Sequence, residues 1–159
     1  MALAVGKSMR LSGFTLIELL VTIAVLSVIA TIAVPSFQNM VVSNRLAADF
    51  NEIISGLNYA RSEAAKRRQE VSVEMSSSDN GVWKIEVSYE GQDGTSVVAM
   101  EREARDGRVE ISPTGKIVFN ELGRRSACFD GTGCVISVGN SPNVIVINLS
   151  GNIEKRPKT

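Results

Sequence analysis

The sequence predicts an α+β fold in which one long N-terminal helix, half apolar and half amphipathic, packs on a small antiparallel β-rich domain. Three observations predict it. Residues 14 to 34 form an apolar run, apolar side chains then recur at helical spacing as far as Ala64, and from Val71 onward the period shortens to two with glycine-bearing turns between segments. The chain has 159 residues, enough for one modest core beside an anchor.

The apolar run reads FTLIELLVTIAVLSVIATIAV, interrupted only by Glu18 and a few Ser and Thr that can bond back to a helix. At about 1.5 Å per residue it spans roughly 30 Å, the hydrocarbon thickness of a bilayer, so 14–34 is expected to be a transmembrane helix. A secretory signal would have a shorter apolar stretch ending at a small-x-small site, and no such site follows here. Lys7 and Arg10 precede the span, which places residues 1–13 in the cytoplasm and the C-terminal domain outside. In a Gram-negative cell that compartment is the periplasm. Glu18 is the residue a simple anchor does not explain, because a carboxylate there costs about 2.5 to 3.5 kcal/mol even on lenient insertion scales.

KSMRLSG followed by FTLIELLVTIAVLSVIATIAVP, Lys7 to Pro35, resembles the type III signal of type IV pilins and type II secretion pseudopilins. The resemblance implies that 1–13 is a leader peptide, that prepilin peptidase cuts after Gly13, and that the new N-terminal residue, Phe14, is methylated. It also implies that Glu18 is an assembly residue, meeting the Phe14 amine of a subunit already in the filament. The implied partners are prepilin peptidase, other pilin or pseudopilin subunits and inner-membrane lipid. Cleavage before Phe14 would create a cation one helical turn from Glu18, which gives the buried carboxylate a physical reason.

Beyond Pro35, Leu46, Phe50, Ile53, Leu57, Ala60 and Ala64 follow one another at steps of three and four, one face of a helix. Arg45, Asp49, Glu52, Asn58, Arg61 and Ser62 fall largely off that stripe, so 35–68 is expected to be an amphipathic extension that packs on a sheet. Pro35 lacks an N–H donor and is expected to kink or locally melt the rod. A helix from 14 to about 68 would measure roughly 80 Å. LNYARSEAAKRRQEVSV, 57–73, resembles the helix-to-strand segment of H-type pseudopilins and their minor-pilin relatives. Arg61, Ser62 and Glu63 lie on successive azimuths and cannot converge as a triad, so they are read as helix surface and sheet-packing contacts.

Residues 69–159 are read as the periplasmic β-rich domain. Val71, Val73 and Met75 alternate with Ser72, Glu74 and Ser76; Trp83, Ile85, Val87 and Tyr89 share one face of the next segment. SVVAMER, RVEIS, KIVFN, CVISV, VIVINLS and a short NIEK are the further strand candidates, and their spacing predicts antiparallel sheet, two layers of it, rather than βαβ units. ISPTGKIVF and VINLSGNIEK resemble the two glycine-turn strands of the same family.

Cys128 and Cys134 enclose five residues that include Gly131 and Gly133, a loop able to let the sulfurs meet, and a disulfide is expected in an oxidising compartment. Histidine is absent, which removes the commonest general base and the commonest metal ligand, and no nucleotide-binding or hydrolase motif is present. No catalytic residue, cofactor or metal is therefore expected, and the chain is not read as an enzyme. Basic and acidic side chains number 17 each; a product that has lost Lys7 and Arg10 carries 15 against 17 and has no bulk charge for nucleic acid.

The tail GNIEKRPKT offers Lys155, Arg156 and Lys158 as candidate DNA contacts, in the manner of DNA-receptor minor pilins. The glycine-arginine pair associated with those members is replaced here by Gly151-Asn152, and three screened charges support only weak binding. The resemblance thus implies a minor pilin that takes part in assembly or tip formation of a type IV pilus, with an H-type pseudopilin of a secretion filament, or a DNA-binding minor pilin, as alternatives.

Overall fold

The computed structural model describes residues 13–78, 80–105, 107–129 and 133–158. One helix, α1 (Leu16–Arg67), precedes nine strands: β1 (Val71–Ser77), β2 (Trp83–Glu90), β3 (Ser96–Glu103), β4 (Ile111–Ser112), β5 (Gly115–Phe119), β6 (Arg125–Cys128), β7 (Val135–Val138), β8 (Asn143–Ile147) and β9 (Ile153–Pro157). The chain divides into two compact units, one ending at Val42 and one beginning at Ser43.

In the first unit α1 continues through Pro35, so the local melting expected there does not occur; a single missing donor does not end a helix of 52 residues. Its apolar side chains, from Leu16 through Val34 and on to Phe37, Met40 and Val42, are exposed.

The second unit holds the core. Phe50, Ile53, Leu57, Ala60 and Ala64 of α1 are buried, as the helical stripe predicts. They meet the inner faces of two antiparallel sheets, a five-stranded one in the order β3-β2-β1-β5-β6 and a four-stranded one in the order β4-β7-β8-β9. Val71, Val73 and Met75 of β1, Ile85 and Val87 of β2, and Ile117 and Phe119 of β5 carry the first sheet's share; Ile136, Val138, Ile145 and Ile147 carry the second's. Gly56 lets the helix approach closely, since a Cβ there would stand 3.2 Å from Met100 and 3.7 Å from Ile85. α1 ends with Arg68 in the left-handed region (φ 55°) and the Gln69 N–H donating to the Ala64 carbonyl at 3.3 Å, a Schellman closure built without glycine.

Two strand expectations change. RVEIS yields only the two-residue β4, because Arg108, Val109 and Glu110 belong to the turn that leads into it. RSAC, which has no β-branched or aromatic side chain to mark it, forms β6 at the sheet edge against β5.

Candidate functional site

The N-terminal motif sits at the start of α1. Thr15 caps the helix: its Oγ1 accepts from the Glu18 N–H at 3.2 Å, and its carbonyl accepts from the Leu19 N–H at 3.2 Å. Thr15 and Glu18 thus occupy the first and fourth places of a Thr-x-x-Glu capping pattern, a local signal legible in the sequence that the family motif overshadows. Phe14, 85% exposed, precedes the cap. The Glu18 carboxylate is exposed and, among the described residues, forms no ion pair within its own chain, although the helix N-terminus itself favours a negative charge there. A Cβ on Gly13 would touch nothing within 4 Å, so the fold places no demand for glycine at that position.

The far end of α1 carries a network that the sequence did not single out. Glu63 is 6% exposed and accepts from Arg67 Nε at 2.7 Å and from Lys66 Nζ at 3.3 Å. The Arg67 guanidinium also lies 3.8 Å from the Tyr89 ring centroid, tying helix to sheet through a cation–π contact. The hydrogen bond from Arg67 holds the Glu63 carboxyl below its ordinary range, against the opposing effect of burial. Spacing alone gives a hint in Glu63, Lys66 and Arg67 at i, i+3 and i+4, but the same spacing describes any solvated helix face.

Cys128 and Cys134 are joined in a disulfide with Cα atoms 5.7 Å apart. Cys128 ends β6 of the five-stranded sheet and Cys134 directly precedes β7 of the four-stranded one, so the bond links the two sheets.

The tail forms β9 at the edge of the second sheet, and the strand's alternation separates its cations. Arg156 donates to Glu154 Oε2 through Nε at 2.9 Å and Nη2 at 2.6 Å, and Asn148 and Asn152 donate to the other carboxylate oxygen at 3.0 and 2.8 Å. The Arg156 bond holds the Glu154 carboxyl below its usual range. Lys155 lies over the Phe50 ring, with its ammonium 5.1 Å from the centroid. Lys158 follows the strand, its N–H donating to the Pro142 carbonyl at 2.8 Å. Lys155 and Arg156, neighbours in β9, thus engage different partners, one over Phe50 and the other on Glu154. Among the described residues no group of three His, Cys, Asp or Glu side chains is arranged to hold a metal.

The family described as Type II transport protein GspH matches residues 49–151, from the buried stripe of α1 to the last glycine turn. The chain belongs to the GspH family. The prokaryotic N-terminal methylation motif matches residues 9–34 of this GspH-family chain and takes in Gly13, Phe14 and Glu18. Fimbrial protein EcpC of Eikenella corrodens is 34% identical over 79 residues, which are 50% of this chain and 43% of that protein, so the match spans less than half of the relative. The crystal structure of the type IV minor pilin FimU of Pseudomonas aeruginosa superimposes with a TM-score of 0.57 at 19% identity, covering 72% of this chain and 90% of the other. That likeness shows a shared fold, a long N-terminal helix packed on antiparallel sheets. The GspH-family chain is thus a pilin or pseudopilin in kind, a family of structural subunits.

Proposed function

We propose that this chain is a minor pilin that is cut by prepilin peptidase after Gly13, methylated on Phe14, and takes part in assembly or tip formation of a type IV pilus. The observation that carries the reading is the methylation motif lying across the start of a helix whose first stretch is apolar, exposed and long enough to cross a membrane. Unpartnered in a single chain, that surface requires lipid before assembly and other subunits after it. The glycine at 13, which the fold does not need, is explained by a peptidase that reads it. In this reading the protein is a single-pass inner-membrane subunit with a cytoplasmic leader and a periplasmic domain, without catalytic activity of its own. N-terminal sequencing of the mature chain tests it, Phe14 being the expected first residue; a Gly13 variant with a bulky side chain should accumulate as unshortened precursor.

A second reading, an H-type pseudopilin of a type II secretion filament, is favoured by the description of the matched family. Deleting the gene and scoring surface pili, twitching and secretion side by side separates the two: loss of pili with secretion intact supports the pilus subunit, and the reverse supports the pseudopilin. The DNA-receptor reading ranks below both, because Arg156 is already bound to Glu154.

A further inference from the structure

Among the described residues beyond Val42, four large apolar side chains are exposed: Val98, Leu122, Val135 and Leu149. The two most exposed, Leu122 at 68% and Leu149 at 73%, sit on touching turns. Leu122 belongs to the β5–β6 turn and Leu149 to the β8–β9 turn, and these meet through backbone where Gly151 lies against the Gly123 carbonyl. Bonds inside each turn, Gly123 N–H to Asn120 O and Gly151 N–H to Asn148 O at 2.8 Å, fix the backbone that carries each leucine. Arg61 of α1 lies beside Gly123 and the exposed Arg124 follows it; among the described residues neither forms an ion pair within the chain. Glu121 is the one acid in either turn. Single apolar residues on a surface need no explanation, but a fixed pair rimmed by arginine marks a contact.

The complementary surface lies at the other edge of the same sheet. β3 and β6 close the five-stranded sheet on opposite sides, with β2, β1 and β5 between them. Val98 faces outward on β3, because it pairs with Ser88, whose side chain points away from that of the buried Val87. On that outer face Glu101 pairs with Glu86, Glu86 with Glu74, and Glu103 with Lys84. Lys84 bridges Glu86 at 3.6 Å and Glu101 at 3.2 Å, and Lys116 stands opposite Glu74. These four acids against two lysines leave the face negative. We infer that a second copy of this chain docks there: Leu122 and Leu149 of one copy cover Val98 of the next, with Arg61 and Arg124 meeting Glu86 and Glu101. The contact uses three of the four exposed apolar side chains and sets opposite charges against one another. Because its two halves lie on opposite edges of one sheet, it is heterologous and repeats from copy to copy as an open helical array.

This inference names a partner for the proposed filament subunit and rests on that reading for its setting, so the test scores the two apart. Cells making the full chain with Leu149 replaced by photoreactive benzoylphenylalanine are irradiated. Sheared filaments and membranes are then digested separately with trypsin and mapped by mass spectrometry. A cross-link to residues 85–102 of a second copy, the tryptic segment that holds Val98, is expected, and mixed isotope labelling identifies it as intermolecular. Its yield should fall about tenfold or more in Leu122→Ser, in Arg124→Glu and in Glu101→Arg. Combining Arg124→Glu with Glu101→Arg should restore it, since the charges are then exchanged. Lys158→Gln, which removes an exposed cation at the far end of β9, should leave it unchanged. An unchanged melting temperature confirms that each variant is folded. A cross-link to a different protein only, or none, overturns the contact, as does a double variant no better than either single one. Absence of the wild-type chain from sheared filaments would sink the filament reading, whereas a chain present there without the copy-to-copy cross-link sinks the contact alone.

Discussion

Gly151 lies against the carbonyl oxygen of Gly123, so closely that a Cβ on Gly151 would overlap it, and the two residues stack the β8–β9 turn on the β5–β6 turn. The turns are built alike. Asn120 N–H donates to Arg124 O and Gly123 N–H to Asn120 O, while Asn148 N–H donates to Asn152 O and Gly151 N–H to Asn148 O, all at 2.8 to 2.9 Å. Both glycines have positive φ, 67° and 79°. Gly123 in turn sits on α1, where a Cβ would stand 3.2 Å from Arg61 Cγ and 3.3 Å from the Arg61 carbonyl. Helix, first sheet and second sheet are thus joined through backbone at one point.

Substitution of Gly151 by alanine is expected to destabilise the chain by about 2 to 4 kcal/mol, combining overpacking against an immobile carbonyl with left-handed strain. Gly94→Ala provides the comparison, since Gly94 also has positive φ (77°) but a Cβ there would meet only Glu90 Oε1 at 3.8 Å. It should cost only about 1 to 2 kcal/mol. Thermal denaturation of both variants measures the difference, and equal losses would mean that the turn stack adds nothing to the fold.

Glu63 should contribute to stability in a pH-dependent way. Its folded pKa lies below the unfolded value because Arg67 donates to the carboxylate, so the contribution is fully present above the unfolded pKa of about 4.3. It is lost as pH falls through the lower, folded value. Glu63→Gln is therefore expected to melt below the wild type near neutrality, with the gap closing at acid pH. A gap that does not depend on pH would show that Glu63 acts through packing instead.

The disulfide between Cys128 and Cys134 links two sheets while closing only a short loop. Mass analysis without reductant should show two hydrogens missing from the exported protein. Replacing both cysteines by serine should lower stability by about 2 kcal/mol, as chain-entropy arguments give for a loop of this size. Two freely alkylated thiols in periplasmic material would refute the assignment.

Glu18 is placed both to complement a helix N-terminus and, in the proposed function, to pair with the Phe14 amine of a neighbour. Glu18→Gln distinguishes the two, because glutamine serves in a capping pattern but carries no charge. We expect Glu18→Gln and Glu18→Ala alike to insert, to be cut after Gly13, and then to be poorly represented in sheared filaments relative to the membrane fraction. Normal incorporation of the glutamine variant would reduce Glu18 to a capping residue.

The sequence alone determined the N-terminal motif, the buried stripe of α1 and most of the strands, because each is written in residues close together. Periodicity of three to four, or of two, states which face must leave water whatever that face then meets. Only the tertiary structure decided that β1 lies between β2 and β5, that the disulfide spans two sheets, that Glu63 is buried, and that Lys155 rests on Phe50 while Arg156 turns to Glu154. β6 belongs with these, since RSAC becomes a strand only because β5 offers it an edge. Such relationships join segments far apart in the chain, and their free energy comes from shape and charge matching between surfaces that local pattern leaves unspecified. The Gly123–Gly151 stack shows this most directly: each glycine is legible as a turn, but the need for both to lack a side chain arises only where the turns touch.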